Sequence, residues 1–453
     1  MNLKARVSML LVAGVCLAAL PAAAGAIPRG YFLVQLLETF SENKFGAINR
    51  VEDAEKIFSF LRGKINGLEY QTLYFDDASL DVHKRIALKA GEYGIDLWAT
   101  TWGLINRISI KAFGAIKQDY QAWVMRSDGS LVPAMVEGQP LFDVLNPDAV
   151  AWAMKVYTEK YLVPFKGLLA GMFLNEDTIP YLGKIGNDLR YDYWNLPVYS
   201  SAVLREWRSY CAAHNVVSNG KIVTVFPVHR LDMVARGNGL TAYYEGYDVP
   251  ERIYAGQRFV DLPQAKGIWK HWYDFLSQQF IHTWIQSITR AANEVNKDNP
   301  SWRGTIYFAA FYWSLPYEEI RNEKFTVPAQ HHWGAWGRQR GMDLKVVCSL
   351  PGIDAVVCET YPPIKANLEY YIEEYDRISA GAGKQFGVML HRDDSWKLRP
   401  DEELLRWALI EKYRPQIIVR YPLGTMLPWG RYYDESREST FFKRLKEYRA
   451  VLN

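Results

Sequence analysis

Cysteine is scarce in this sequence. There are four cysteines in 453 residues, and Cys16 lies in an apolar N-terminal segment, which leaves Cys211, Cys348 and Cys358 for the folded chain. An odd number of thiols allows at most one disulfide bond and one free cysteine. Cys348 and Cys358 either pair across the loop between them or stay as buried free thiols. These counts exclude a small disulfide-stapled domain and a cysteine-rich metal-binding domain.

The chain also lacks an excess of charge of either sign. Its 53 Lys and Arg residues nearly balance its 50 Asp and Glu residues, so we expect no nucleic-acid partner. Beyond residue 26 no apolar run approaches the ~20 residues that a membrane-spanning helix needs, and we expect no membrane span. Internal repeats, low-complexity tracts and Pro/Ser-rich linkers are absent as well. Residues 27–453 are therefore predicted to form a single elaborated domain.

The first 26 residues are predicted to be a secretory signal peptide. Lys4 and Arg6 precede an apolar core at residues 7–20, and small residues follow at 22–26. The apolar core is shorter than the ~20 residues of a membrane anchor. Val15 is bulky where a lipoprotein signal needs a small residue before its cysteine. We therefore predict a secreted or periplasmic protein whose mature chain begins near Ile27.

Apolar segments alternate with amphipathic helical patterns along the rest of the chain. One helix start is especially clear, because Asn146 can cap the helix and Pro147 suits its first turn. Strands that are apolar throughout, with helices between them, indicate a parallel sheet covered by helices. The fold class predicted is an α/β protein, a (β/α)8 TIM barrel with long loop insertions. The candidate strands are residues 31–37, 70–75, 95–101, 168–174, 221–225, 305–311, 353–361, 386–390 and 417–421. These are nine segments for eight positions, so either 221–225 or 417–421 lies outside the barrel.

Two of these segments end in carboxylates. The first reaches Glu176, and alternation along a strand would put Glu176 on the same face as Met172 and Leu174. The other, residues 353–361, holds Glu359 near its end, and Glu359 would share its face with Val357. The carboxyl ends of barrel strands meet at one mouth, where the active sites of such barrels lie. A pair of carboxylates at that mouth is what hydrolysis of a glycosidic bond requires. We therefore predict Glu176 and Glu359 as the catalytic pair of a glycosidase.

The Asn175-Glu176 dipeptide at the end of the fourth predicted strand, with a second glutamate at a late strand end, resembles retaining glycoside hydrolases of clan A. The resemblance implies that Glu176 is the acid/base and that Glu359 is the nucleophile, on the seventh strand. It also implies that Asn175 contacts the sugar hydroxyl next to the reacting carbon and that Tyr312 ends the sixth strand. The expected activity is cleavage of a β-linked glycoside or polysaccharide by double displacement, without a metal or another cofactor. If residues 417–421 form the eighth strand, Glu359 falls on the sixth and leaves the clan pattern.

Further polar and aromatic residues follow the predicted strands and are candidates for substrate binding. Aromatic residues make up 14% of the chain, which is consistent with flat platforms that stack on sugar rings but also with a large aromatic core. Strand-end aspartates serve equally as turn or helix caps. The candidates are Asp76, Asp77, Trp102, Trp313, Tyr361, His391 and Trp429.

Two other functions fit the same barrel. A metal-dependent isomerase or hydrolase would use Glu176, His229, Glu359 and His391 as ligands. A non-catalytic carbohydrate-binding barrel would bind sugars on the same aromatic side chains, with the carboxyl groups of Glu176 and Glu359 too far apart to act as a pair. A chelator distinguishes the first of these functions from a glycosidase, and the distance between the two carboxylates distinguishes the second.

Overall fold

A computed structural model describes most of the chain between residues 26 and 452. The described ranges are 26–35, 50–70, 77–101, 104–108, 114–125, 131–136, 138–175, 177–180, 196–218, 220–226, 267–309, 341–360, 368–391, 400–421, 423–429 and 433–452. The predicted signal peptide lies outside these ranges, apart from Ala26.

Eight parallel strands close into a barrel, and their order around the barrel is their order in the chain. They are β1 Tyr31–Val34, β2 Gly67–Tyr70, β3 Asp96–Thr100, β4 Gly171–Asn175, β5 Thr305–Ala309, β6 Ala355–Glu359, β7 Gln385–His391 and β8 Ile417–Tyr421. All adjacent pairs are parallel, including β8 with β1. The predicted (β/α)8 TIM barrel is confirmed.

The eighth strand is the segment Ile417–Tyr421, which pairs with both β7 and β1. The competing segment lies outside the barrel, since Lys221–Ile222 forms a short antiparallel ladder with Val217–Ser218. Glu359 therefore ends β6, the sixth strand. The prediction that this glutamate lies on the seventh strand was wrong, because one of the nine apolar segments belongs to an insertion between barrel strands.

Helices connect the strands and cover the barrel. They are α1 Val51–Leu61, α2 Asp77–Glu92, α3 Leu104–Arg107, α4 Pro147–Tyr157, α5 Ser201–Ala213, α6 Gly267–Phe280, α7 Gln286–Asn296, α8 Leu344–Ser349, α9 Leu368–Gly381, α10 Pro400–Tyr413 and α11 Glu435–Leu452. The start of α4 is as predicted, because the Asn146 side chain accepts hydrogen bonds from the backbone N–H groups of Asp148 and Ala149. A π-type turn, Ile281–Ile285, joins α6 to α7, so helical backbone continues from Gly267 to Asn296.

The insertion between β3 and β4 contains two short β-hairpins. Trp123–Met125 pairs with Leu131–Pro133, and Met135–Val136 pairs with Gln139–Pro140. They enclose a small apolar cluster of their own, which includes Val124. The loop insertions expected from the sequence are therefore partly ordered into hairpins.

Alternation along the strands separates an inner core from an outer one. The inner core lies inside the barrel and includes Phe173, Val357 and Val419. The outer core lies between the strands and the helices and includes Met172 and Leu174. On β4 the inward face thus holds Phe173 and Asn175, and the expectation that the face of Met172 and Leu174 points into the mouth was wrong. On β6 the expected face is confirmed, since Val357 and Glu359 share the inward side.

A polar cluster closes the barrel at the amino ends of the strands. Trp98 donates a hydrogen bond from Nε1 to the Tyr31 hydroxyl at 2.8 Å, and that hydroxyl donates to Asp96 at 2.8 Å. Arg303 forms an ion pair with Asp96 at 2.5 Å. Gly171 leaves room for the Trp98 ring, which any Cβ at that position would meet. This cluster fills the barrel at the amino ends of the strands, and the carboxyl ends are where barrels of this kind carry their active sites.

All three cysteines in the described part of the chain are free and buried. Burial raises the pKa of the Cys211 and Cys348 thiols to about 12, and that of Cys358 well above its usual value. The alternative of buried free thiols is therefore confirmed over a Cys348–Cys358 bond. In the same ranges, none of the helices combines the length and apolar character needed to cross a membrane.

Candidate active site

The inward-facing residues at the carboxyl ends of β4, β6 and β8 form the outermost layer of the barrel interior. Neighbouring strands are staggered, so the side chains inside a barrel lie in layers to which alternate strands contribute. The strand register places Asn175, Glu359 and Tyr421 in one such layer. Glu359 is only 3% exposed and Asn175 only 7%. One predicted catalytic glutamate thus shares a layer with the predicted sugar-binding asparagine, at the end of the barrel where the sequence placed them.

Glu69 of β2 is a second buried carboxylic residue, and its side chain lies inside the barrel. Glu69 is 2% exposed and accepts a hydrogen bond at 2.7 Å from Nδ2 of Asn175. Sequence reasoning missed Glu69 because the second strand was expected at residues 70–75, whereas β2 spans Gly67–Tyr70. The available signal was a single glutamate in the short stretch Ile65 to Tyr70, directly after a helix. The interior near the mouth therefore holds two carboxylates on opposite strands, with Asn175 in contact with one of them.

The backbone on either side of position 176 is held by buried hydrogen bonds. Thr101 Oγ1 accepts the backbone N–H of Asn175 at 3.1 Å, and the same hydroxyl donates to the carboxyl group of Asp177. Trp284, in the π-type turn between α6 and α7, donates to Asp177 from Nε1 at 3.2 Å. Burial raises the pKa of Asp177 to about 7, although its two hydrogen-bond donors oppose the shift. The backbone N–H of Asn175 and the carboxyl group of Asp177 are consequently held by Thr101, directly after β3, and by Trp284 of the helix layer.

The backbone after Glu359 is fixed in a similar way. Thr360 donates from Oγ1 to the carbonyl oxygen of Met389 on β7 at 2.6 Å. Arg406 of α10 donates from Nη2 to the Thr360 carbonyl oxygen at 3.1 Å, and its side chain is buried. The end of β6 is thus tied to β7 and to α10, which holds Glu359 on a rigid element.

Most of the other candidate substrate-binding residues fall outside the described ranges. Asp77 begins α2 and His391 ends β7, where it pairs with Tyr421, but the description does not extend to the side chains of Asp77 and His391. Residues that lie wholly outside are Glu176, Asp76, Trp102, Tyr312, Trp313 and Tyr361. Their roles stay predictions.

Trp429 is described, and it packs against the helix layer. Its ring meets Phe60 of α1 edge-on at 5.7 Å between centroids, and Lys56 Nζ lies 4.3 Å from the centroid of the Trp429 ring. Trp429 is 45% exposed. The structure does not bring it together with Asn175 and Glu359, and its role as a sugar platform stays a prediction.

Within the described ranges, no group of three or more His, Cys, Asp and Glu side chains could hold a metal ion. Two of the ligands named for a metal-dependent barrel, Glu176 and His229, lie outside those ranges. The described part of the mouth therefore offers carboxylates and an amide, which are groups for proton transfer, nucleophilic attack and binding of hydroxyl groups.

Comparisons with known proteins give structural likeness only. No protein-family model matches the sequence, and no curated protein matches it. An endo-1,4-beta-mannanase from Rhizomucor miehei is similar in structure at a TM-score of 0.47 and 12% identity, over 93% of this chain and 95% of the mannanase. An endo-beta-1,4-mannanase from Thermotoga petrophila has a TM-score of 0.46 and 12% identity, over 95% of this chain and 78% of that one.

A beta-galactosidase from Marinomonas ef1 has a TM-score of 0.46 and 10% identity, and the match covers 93% of this chain. The chain spans 59% of the length of that galactosidase. These neighbours are glycoside hydrolases, but at such identities and scores they carry no argument about activity. The barrel itself is established by its own strand pairing.

Proposed function

We propose that this protein is a glycoside hydrolase that cleaves a β-linked glycoside or polysaccharide. The observation that carries the proposal is Glu359, a buried carboxylate at the carboxyl ends of the strands, in one layer with Asn175 and Tyr421. A carboxylate held on a rigid strand beside a hydrogen-bonding amide and a phenol suits the binding of a sugar at its anomeric carbon. The proposed reaction uses carboxyl groups both for nucleophilic attack and for proton transfer, so it needs no metal.

In the proposed reaction Glu359 attacks the anomeric carbon while Glu176 protonates the leaving oxygen. A glycosyl-enzyme forms on Glu359, the leaving group departs with the proton of Glu176, and Glu176 then takes a proton from the water that releases the sugar. The product keeps its configuration because the anomeric carbon is inverted twice. Asn175 contacts a substrate hydroxyl throughout.

The position of Glu359 on β6 separates this proposal from the clan A pattern, in which the nucleophile lies on the seventh strand. The role of Glu359 therefore rests on its inward direction, its burial and its anchored backbone. Glu176 directly follows Asn175, whose backbone N–H donates a hydrogen bond to Thr101. Its own role rests on the sequence.

Kinetics and product stereochemistry test the proposal. We expect the purified mature protein to hydrolyse at least one member of a panel of 4-nitrophenyl β-glycosides and β-1,4-linked polysaccharides. Glu359→Gln should lower kcat by about a thousandfold or more, because the nucleophile is lost. Glu176→Ala should retain the first step with the 4-nitrophenyl substrate, and azide should restore its second step as a glycosyl azide of retained configuration. The surface variant Glu294→Gln, whose side chain pairs with Lys297, is the control.

Two results would contradict the proposal in different ways. Inverted product from the native protein would remove the nucleophile role of Glu359 and leave a hydrolase. Full activity in Glu359→Gln would show that this carboxylate is not part of the chemistry.

We also propose that the protein is exported and that its mature chain begins near Ile27. The support is the basic start, the apolar core and the small residues of the first 26 positions. N-terminal sequencing of protein recovered outside the cytoplasm should begin near Ile27, and an intact Met1 in an envelope fraction would argue for a membrane anchor instead.

A further inference from the structure

The contact between Glu69 and Asn175 crosses the inside of the barrel from one strand to another. Glu69 follows Gly67 on the inward side of β2, and its neighbour in the register is Trp98 of β3. Trp98 in turn pairs with Gly171, four residues before Asn175 on β4. The Glu69 side chain therefore starts below Asn175 and extends toward the mouth to reach its amide, where the Nδ2 to Oε1 distance is 2.7 Å.

This contact decides which way the Asn175 amide faces. In the structure the amide turns Nδ2 toward Glu69, whose Oε1 accepts the hydrogen bond. The flipped amide would set Oδ1 against Oε1 of Glu69 and would lose this buried hydrogen bond. Such a bond favours one orientation by about tenfold to a hundredfold. Asn175 Oδ1 is then directed away from Glu69 and is available as an acceptor for a donor hydroxyl.

The backbone of Asn175 has a different anchor. Its N–H donates to Thr101 Oγ1 at 3.1 Å, and Thr101 is itself held by Asp177. Removal of the Glu69 carboxylate would therefore leave the main chain at position 175 in place. The two anchors have separate effects, because Thr101 positions the backbone and Glu69 orients the side chain.

We propose that Glu69 is a positioning residue that holds the Asn175 amide with Oδ1 available to accept a hydrogen bond from a substrate hydroxyl. This inference rests on the proposed function, in which Asn175 contacts the substrate. It makes the site selective for a sugar whose hydroxyl can donate at that position. In this role Glu69 acts through Asn175.

Glu69→Gln is the variant that tests this role, because glutamine keeps the size of the side chain but can present either an oxygen or an N–H to the amide. We expect kcat/KM of Glu69→Gln to fall about tenfold or more on an aryl glycoside that carries all its hydroxyls. In a panel of analogues with one hydroxyl at a time replaced by hydrogen, one analogue should lose this sensitivity. Asn175→Ala should remove it for every substrate, as in a double-mutant cycle. An equal fall for all analogues and in both backgrounds would mean a purely structural role and would overturn the inference.

A measurement without substrate separates this inference from the proposed hydrolase activity. In protein labelled with ¹⁵N at asparagine, the Asn175 side-chain signals are those missing from Asn175→Ala. Their hydrogen exchange should be about tenfold or more faster in Glu69→Gln than in the native protein. Asp143→Asn is the matched control, since Asp143 is also a buried carboxylate but accepts hydrogen bonds from Ser200 and the Leu145 N–H.

The control should leave the Asn175 signals unchanged. Unchanged signals in Glu69→Gln would overturn the positioning role, whether or not the protein hydrolyses glycosides. A clear response of the Asn175 amide in a protein that hydrolyses no glycoside of the panel would support the positioning role and refute the proposed function.

Discussion

The buried carboxyl group of Asp177 should make the stability of this protein depend on pH. Asp177 is 4% exposed, and burial raises its pKa from the ordinary 3.8 to about 7. Because the folded-state pKa lies above the unfolded-state value, the protonated carboxyl favours the folded state at low pH, and this stability is lost as the pH rises from about 4 through about 7. Asp177→Asn keeps the size of the side chain and removes its charge.

The magnitude follows from the proton affinity. At about 1.4 kcal/mol for each tenfold change in proton affinity, the stability lost relative to low pH is about 4 kcal/mol at pH 8 and about 2 kcal/mol at pH 5. Relative to the native protein, Asp177→Asn should therefore be more stable at pH 8 than at pH 5 by about 2 to 3 kcal/mol. The asparagine can still accept from Trp284 through Oδ1 and can donate to Thr101 through Nδ2.

Urea unfolding followed by tryptophan fluorescence at pH 5 and pH 8 measures this difference. Asp298→Asn, at an exposed position, is the control and should change the free energy of unfolding equally at both pH values. If Asp177→Asn also shows equal changes at the two pH values, Asp177 does not take up a proton in this range, and the argument from burial is refuted.

Three further predictions concern packing, a buried ion pair and the thiols. Gly171→Ala should lower the free energy of unfolding by about 1–3 kcal/mol, because the alanine Cβ would meet the Trp98 ring. Its control is Gly91→Ala, at a position with open space around it, which should not lower the melting temperature. Glu438→Ala should lower the free energy of unfolding in urea by about 3–5 kcal/mol because it leaves the buried guanidinium of Arg420 without its ion-pair partner, and a loss below about 1 kcal/mol would show that the pair is solvated. The three cysteines beyond residue 26 should resist a thiol reagent in the native protein and react after denaturation, and rapid native labelling would contradict their burial.

The sequence by itself determined the kind of fold and the kind of residue at its mouth. Apolar strands without polar alternation must be buried on both faces, and the helical patterns between them supply the cover, so a parallel barrel follows from local sequence. The cap at Asn146 and the buried state of most apolar segments follow in the same way. Glu359 could be picked out because a carboxylate that ends an apolar run has to meet solvent or a ligand.

Only the tertiary structure decided which segments are barrel strands, which side chains point into the barrel and which residues contact each other across it. Residues 221–225 and 417–421 are both rich in Ile and Val, and only the closure of β8 on β1 shows which of them belongs to the barrel and that Glu359 ends the sixth strand. Alternation along one strand shows which residues share a face but not which face points inward, so the inward face of β4 was expected on the side of Met172 and Leu174 instead of that of Phe173. The contact between Glu69 and Asn175 joins residues 106 positions apart, and no local pattern encodes a hydrogen bond that exists only once the barrel has closed.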